Sequence, residues 1–283
     1  MSLEQTQQRR HAVSAVHDIV SAMRAIAAGR IQSAQRALTH ARRYQEVIAH
    51  ALASLPPEAK PPPHSESAQT MLLVLTSEQP FCGAFNQEVL ALAEKRWREM
   101  RGAGQVQLIA VGQRGALQMT ARGIVPDESV PATTSLQGLR NLVKRLAKLV
   151  DESYGAGKLA ELRVIYNYYR SVSEQVPTEE RLLPVDWAPI APAGAAKNKE
   201  LYHYLALPEL VAGLASEYVF ISLYRIAAES FASEQASRLV AMDGATRNTE
   251  KMLKSLIELE RRERQEEITR QVLELIAARF AAE

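Results

Sequence analysis

The chain has 283 residues, a hydrophobic content of 47% and a formal net charge of +2. These values exclude wholesale disorder and favour neither nucleic acid nor a membrane surface as a partner. The single cysteine, Cys82, excludes an intramolecular disulfide and fits a reducing compartment. No apolar run approaches the roughly 18 residues of a spanning helix, and the N-terminus lacks the features of a signal or transit peptide. We therefore expect a soluble protein.

The first predicted element is a long helix over 1–55. Residues 3–55 contain no proline, and apolar residues recur every seven positions, at Val13, Val20, Ala27, Ala34, Ala41, Ile48 and Leu55. A seven-residue repeat held this long predicts a left-handed coiled coil with a partner helix, about 75–80 Å in length. Three of these seven residues are alanine, so the seam packs closely but buries little area. A coiled coil with so little buried area favours a shaft that other proteins enclose over a freestanding coiled coil.

A proline-rich linker over 56–68 separates this helix from a predicted α/β domain over 69–207. Five of the nine residues 55–63 are proline, which indicates a stiff segment. After it, short apolar or β-rich runs predict strands, and helical spacing separates them. The predicted strands are 71–76, 106–111, 162–169, 181–185 and 201–207, and the predicted helices are 86–101 and 135–153, the latter capped by Ser135. This alternation predicts a small sheet of parallel type.

The last predicted element is a helix over 208–283, beginning at Pro208. It would run some 70 residues, roughly 105 Å if unbroken. Two terminal rods from one domain most simply pair with each other, antiparallel. The middle of this rod carries weak helix formers, among them Asp243 and Gly244. We interpret the small residues as allowing close approach of the partner rod, and Gly244 as allowing a bend.

No segment carries a recognisable catalytic, cofactor or metal motif. The segment 111–123 follows a strand but is neither G-x-G-x-x-G nor a P-loop, so we interpret it as a strand-to-helix turn. The six histidines never fall in a metal-binding spacing. Cys82 has no basic neighbour in sequence and fits a buried hydrophobe better than a nucleophile. The charged run 258–271 and Arg238 fit either a solvated helix face or contacts with an enclosing partner.

Several segments resemble the gamma subunit of F-type ATP synthases, the central shaft of a rotary motor. The similarity covers nearly the whole chain and is strongest at its ends. The first helix contains "AMRAIAAGRIQSAQ", similar to the family's A-M-x-x-V-A-x-x-K block, and the last contains "ESFASEQASRLVAMDGATRN" and "RQEEITRQVLELI". Further matches are "LVLTSEQPFCGAFN", "VGQRG" and "YNYYRS" followed by "LLP".

The resemblance implies a mixed α+β and α/β fold, with a long antiparallel coiled coil of the terminal helices and a central Rossmann-like domain. It implies a non-catalytic rotor without cofactors that couples ion flow to ATP synthesis or hydrolysis. Its partners would be the α and β subunits of the catalytic hexamer, the epsilon subunit and the membrane ring of c subunits. The implied location is the cytoplasmic face of the bacterial plasma membrane.

Family contacts carry over to particular positions of this sequence. Contacts with the β subunits carry over to Met23, Arg24, Arg238, Gln265 and Thr269. The foot that faces epsilon and the c-ring carries over to a second set, Tyr166, Asn167 and Arg170.

The sequence also departs from the family pattern. Residues 15–23 lack its basic residues, "SEQPFCG" replaces S-D-x-G-L-C-G, and the glutamate of I-T-x-E is Gln271. These departures favour a bacterial side branch, the alternate sodium-translocating F-type ATPase. Two other functions remain open from the residues alone: a self-associating coiled-coil scaffold, and a small nucleotide-dependent α/β enzyme.

Overall fold

The computed structural model describes residues 3–55, 69–102, 104–185 and 204–280, and within these ranges the chain forms five helices and five strands. In chain order they are α1 (Leu3–Ala53), β1 (Gln69–Leu75), α2 (Phe85–Arg101), β2 (Val106–Val111), α3 (Gln113–Ala121), β3 (Glu128–Val130), α4 (Leu136–Gly155), β4 (Leu159–Tyr169), β5 (Gln175–Leu183) and α5 (Leu207–Phe280). The prediction of two long terminal helices around a central α/β sheet is confirmed. The predicted linker, 56–68, lies outside the described residues.

The strands form one sheet in the order β3-β2-β1-β4-β5. Neighbouring strands from β3 to β4 are parallel. The last strand, β5, is antiparallel to β4, because the tight connection 170–174 reverses the chain. The sheet is therefore mixed, and the prediction of a parallel type is wrong at this edge.

Three predicted strands agree with the structure. The continuous apolar runs 71–76 and 106–111 correspond to β1 and β2, and the β-rich segment 162–169 corresponds to β4. The run 181–185 is only the end of β5, because β5 begins with the polar residues "QVPTEE", which carry no strand signal. The predicted strand 201–207 is wrong in its described part: residues 204–206 are not strand, and α5 begins at Leu207.

The interior of the sheet explains why its strands read as apolar. Residues 71–75 of β1 are all buried, because helices cover both faces of a parallel strand. On one side a cluster of β1, β2 and α2 residues surrounds Leu72, Leu108 and Leu90. The predicted cap of α4 is confirmed: the Ser135 hydroxyl accepts a hydrogen bond from the Gly138 amide at 3.2 Å.

The chain divides into two compact units, to both of which α1 and α5 contribute. The larger is Ala27–Arg238, and the smaller combines Met1–Ile26 with Leu239–Glu283. In the larger unit, the predicted row of apolar residues spaced seven apart on α1 is buried at Ala27, Ala34, Ala41 and Ile48. The same row is only half-buried at Val13 and Val20, in the smaller unit.

By length and composition, α5 contains a window apolar enough to cross a membrane, with a mean hydropathy of 1.4, of which 39% is buried. Polar residues interrupt the apolar ones in this window, so no unbroken apolar run marks it in the sequence. Residues 225–236 of α5 are buried within the larger unit, so its apolar character there is used in packing against the protein.

Candidate functional site

The smaller unit contains a pair of antiparallel helices joined by polar contacts. Glu260 of α5 accepts from two residues of α1, Arg10 at 3.1 Å and Gln7 at 3.2 Å. Further along, His17 Nδ1 lies 3.0 Å from Thr249 Oγ1. Residue numbers rise along α1 as they fall along α5, as the predicted antiparallel coiled coil requires.

The predicted contact residues of the first helix lie on the surface of this unit. Met23 is half-buried and Arg24 is exposed. Arg24 Nη1 donates to Asp243 Oδ1 at 3.2 Å, and Arg247 also binds Asp243. These two guanidinium groups, Arg247 first and then Arg24, hold the pKa of Asp243 below its usual value. Arg24 therefore has a partner within the chain and still offers solvent-facing donors.

The weak helix formers of α5 are explained in part by this helix pairing. Thr246 and Thr249 are buried, and each donates its hydroxyl to a carbonyl one turn earlier, Met242 and Ala245. Gly244 is exposed, and a Cβ added there would meet nothing within 4 Å. Close approach of a helix therefore does not explain Gly244.

The end of α5 presents an exposed surface that contains two predicted contact residues. From Gln265 to Arg279, every side chain except Glu267 is exposed among the described residues. Gln265 and Thr269 lie one turn apart, and Val272 and Ile276 continue the same face. Five large apolar residues are exposed in this segment: Ile268, Val272, Leu273, Leu275 and Ile276. A long helix bearing this much exposed apolar surface favours an enclosing partner.

Arg238, the predicted contact residue of the larger unit, is buried. Its exposed fraction is 4%, and its Nη2 lies 2.7 Å from Glu234 Oε1 and 3.5 Å from the Pro80 carbonyl oxygen. Burial raises the pKa of Glu234, and Arg238 offsets part of that shift. In this structure the guanidinium therefore joins α5 to the loop after β1.

Of the three predicted foot residues, two are buried. Tyr166 donates to Glu180 at 3.0 Å, and Asn167 donates to the Phe85 carbonyl at 2.9 Å. Arg170, in the turn between β4 and β5, is exposed and pairs with Glu174 at 2.9 Å. Only Arg170 of the three therefore presents its side chain to a partner.

An ionic cluster centred on the buried Arg225 lies in the larger unit and was not predicted from the sequence. Arg225 lies among Glu180 of β5, Glu229 of α5, and Tyr166 of β4. The sequence does carry a signal for this cluster: Arg225 is the one charged residue in the largely apolar run "VFISLYRIAA". A single charge on an apolar helix face indicates a buried partner of opposite sign.

The turn between β2 and α3 has the position of a phosphate-binding loop, and the chain's own carboxylate occupies it. Gly112 has φ +105°, and a Cβ there would lie 2.5 Å from the Thr76 carbonyl oxygen, so the turn requires glycine. Glu78 Oε2 accepts from the Gln113 amide at 3.1 Å and the Ala132 amide at 2.8 Å. An incoming phosphate would have to displace this carboxylate. The interpretation of 111–123 as a strand-to-helix turn is confirmed.

The only cysteine is buried, as predicted. Cys82 is 6% exposed, and its Sγ donates to Ser77 Oγ at 3.4 Å. Burial raises the pKa of the thiol, so it stays protonated near neutral pH. Within the described ranges, no group of three or more His, Cys, Asp or Glu residues is arranged to hold a metal ion.

Comparison with known proteins gives matches that span the chain. The family model for ATP synthase matches residues 2–281. The ATP synthase gamma chain of Methylobacterium sp. (strain 4-46) is 31% identical, with 98% of both chains covered. That of Moorella thermoacetica is 32% identical, with 95% of both chains covered.

Solved structures show the same fold. A chain of the Euglena gracilis mitochondrial ATP synthase, in a structure of OSCP, F1 and the c-ring, matches with a TM-score of 0.62 at 17% identity, covering 99% of this chain and 94% of that one. A chain from the central stalk and c-ring of the Tetrahymena thermophila mitochondrial ATP synthase matches with a TM-score of 0.58 at 21% identity, covering 80% of this chain and 99% of that one. Together with the full-length similarity to curated gamma chains, these matches show that the chain belongs to the ATP synthase gamma chain family.

Proposed function

We propose that the chain is the central-stalk rotor of an F-type ATP synthase and works as a shaft that other subunits enclose. The observation that carries this proposal is the exposed end of α5, where one helix presents large apolar side chains over Gln265 to Arg279. A contiguous exposed apolar surface of this kind marks a site where a partner binds. A ring of α and β subunits has the shape to cover one helix from all sides.

The shaft acts by presenting a different surface to each surrounding catalytic subunit. As it turns, each subunit contacts a different face and favours a different conformation, which is a population shift driven by differential contacts. We propose Met23, Arg24, Gln265 and Thr269 as contacts with the β subunits. Arg238 is proposed as a further contact, and it would exchange its bond to Glu234 for one to the partner.

The larger unit is the proposed foot. We infer that the turn between β4 and β5 faces the epsilon subunit and the c-ring, with the exposed Arg170 as the side chain available to them. The buried Tyr166 and Asn167 would hold the strand behind it. The support is the Tetrahymena chain with the same fold, which belongs to a structure of the central stalk and c-ring.

The location and the division of the chain follow from the same proposal. As a rotor on a membrane ring, the chain would be a peripheral protein on the cytoplasmic face of a bacterial plasma membrane. Its working parts would be the coiled-coil helices 1–55 and 208–283, the linker 56–68 and the α/β domain 69–207.

The sodium-translocating branch remains a prediction that only the sequence departures favour, since the relatives above are described as ATP synthase gamma chains. A hydrolysis rate of the assembled complex that does not respond to Na⁺ would count against it.

Co-expression with the α and β subunits tests the function. We expect one copy of the chain to co-purify with each hexamer. Removing residues 264–283 should weaken this association, because the exposed apolar face lies there. Failure of the full chain to co-purify would refute the proposal.

A self-associating scaffold is the second candidate, because the same exposed face of α5 could bind another copy. It predicts a stable homodimer of the purified chain by light scattering. The enzyme alternative predicts stoichiometric binding of ATP or NAD by calorimetry, against which the carboxylate of Glu78 argues.

A further inference from the structure

The guanidinium of Arg225 connects four elements of the larger unit. Its Nε donates to Gln45 of α1 at 2.9 Å, and its Nη2 donates to Glu180 of β5 at 2.5 Å. Its Nη1 lies 3.4 Å from both the Tyr166 hydroxyl of β4 and Glu229 of α5 itself. Both long helices and the antiparallel hairpin of the sheet therefore meet at one planar group.

The centre of this cluster is buried, and the Glu180 side chain at its edge is 31% exposed. Arg225 is 9% exposed, and Tyr166 and Glu229 are 1% and 0% exposed. Burial alone would lower the pKa of Arg225, but Glu180, Tyr166 and Glu229 together more than offset it, and the net shift is upward. The group stays charged, and its contacts with the buried Tyr166 and Glu229 are little screened by solvent.

A second layer of contacts ties α1 to α5 beside Arg225. Arg42 of α1 donates to Glu229 at 3.1 Å, and Gln45 donates to Ser222 at 2.9 Å. Glu229 thus accepts from both helices. Two arginines and the two carboxylates Glu180 and Glu229 balance one another in charge.

The apolar part of the α1 seam in this unit includes Ala27, Ala34 and Leu38, and all are buried. Outside the cluster, Gln35 of α1 donates to the Tyr169 hydroxyl of β4 at 3.0 Å, but this bond joins only two elements. Contacts between small apolar surfaces are non-directional, so they resist rotation of one element about another only weakly. A guanidinium bonded in its own plane to several acceptors has a fixed orientation.

We propose that Arg225 is a positioning residue that fixes the angular position of the two long helices relative to the sheet, and so transmits torque between shaft and foot. The inference rests on the proposed function, because it assigns the sheet to the driven foot and the helices to the shaft. Arg225 touches no nucleotide and acts through the elements that it joins.

The test measures the torsional stiffness of the assembled complex. The hexamer is immobilised and its shaft is locked with a non-hydrolysable ATP analogue. A reporter bead is attached to the foot through Lys144→Cys, on an exposed position of α4, while the native Cys82 is buried. The variance of the bead angle reports the stiffness of the connection between foot and shaft.

Two variants separate the effect of the directional hydrogen bonds of Arg225 from the effects of its charge and its volume. Arg225→Met/Glu180→Gln removes the fork and one carboxylate, so the buried charges stay balanced. Arg225→Lys keeps the charge but lacks the planar fork. The matched control is Arg98→Met/Glu94→Gln, the same double change at an ion pair within α2, where Arg98 is exposed and Glu94 is half-buried. Loss of directional bonds should raise the angular variance by roughly twofold or more in both Arg225 variants and leave it unchanged in the control.

The outcomes are distinct. Variance in both Arg225 variants equal to that of the control would overturn the proposal. If the double variant does not assemble, Arg225→Lys alone decides in the same way. A wild-type chain that does not assemble with the hexamer would instead refute the proposed function.

Discussion

Gly244 offers a test that separates helix stability from bending. It lies inside α5 in an exposed position, and a Cβ added there meets no atom within 4 Å. Its φ is not among the positive values of the described glycines, so the helical backbone accepts alanine without strain. Gly244→Ala should therefore stabilise the folded chain by about 0.8–1 kcal/mol, the difference in helix propensity.

The effect is measured by thermal unfolding of the isolated chain, followed by circular dichroism. A gain of about 1 kcal/mol corresponds to a rise in Tm of about 2–4 °C for a domain of 150–250 residues. Gly29→Ala is the matched control, because Gly29 lies inside α1, is exposed, and also has nothing within 4 Å of an added Cβ. Both variants should show the same increase.

The two variants should differ in the assembled enzyme. If Gly244 provides a bend in the shaft, Gly244→Ala slows ATP synthesis while Gly29→Ala leaves it unchanged. Equal synthesis rates would refute the bending role. A Tm that stays the same or falls in Gly244→Ala would refute the conclusion that Gly244 is an unstrained, exposed helical residue.

Three further changes address the seam, the turn and the ion pairs. Ala34→Leu places extra methylenes in a fully buried position and should cost about 1–3 kcal/mol of unfolding free energy, measured in urea. Gly112→Ala brings a Cβ to 2.5 Å from the Thr76 carbonyl at φ +105° and should cost about 1–3 kcal/mol by the same measurement. Because Arg247 lowers the pKa of Asp243, that carboxylate stabilises the fold above its usual pKa of 3.8, and the contribution is lost as the pH falls through the lower folded value. In Arg247→Gln, an NMR titration should show the pKa of Asp243 moving back up.

Each of these predictions has a control and a contradicting result. Ala28→Leu, on the exposed face of α1, should leave stability unchanged; an equal loss there would contradict the packing argument. Gly157→Ala, at φ +67° with open space around it, should cost less than Gly112→Ala, since only backbone strain remains. An Asp243 pKa that does not move in Arg247→Gln would contradict the assigned cause.

Long-period patterns made most of the architecture predictable from sequence. The seven-residue repeat and the absence of proline predicted α1, and the absence of proline after Pro208 predicted α5. Continuous apolar runs predicted β1 and β2, and β-rich composition predicted β4. The strand β5 was predicted only at its end, because it lies at an edge of the sheet and is polar over residues 175–180. Short β3 has three residues, too few for a periodic signal.

Individual contacts were less predictable, because they depend on packing between distant segments. Nothing local to Arg238 shows that Glu234 and the loop at Pro80 bury it. Tyr166 and Asn167 were assigned to a partner-facing foot from motif position alone, but a strand alternates its faces and the helices cover them. Arg225 was detectable as a lone charge, though its four partners come from segments up to 180 residues away.

The carboxylate of Glu78 occupies the backbone amide at the start of α3, where a phosphate group would bind. This turn therefore has no free anion site for ATP, the nucleotide that the complex makes or hydrolyses. A nucleotide phosphate could bind at this turn only after Glu78 had left both the Gln113 and the Ala132 amides. The same carboxylate therefore both closes the turn against anions and ties the start of α3 to the segment after β3.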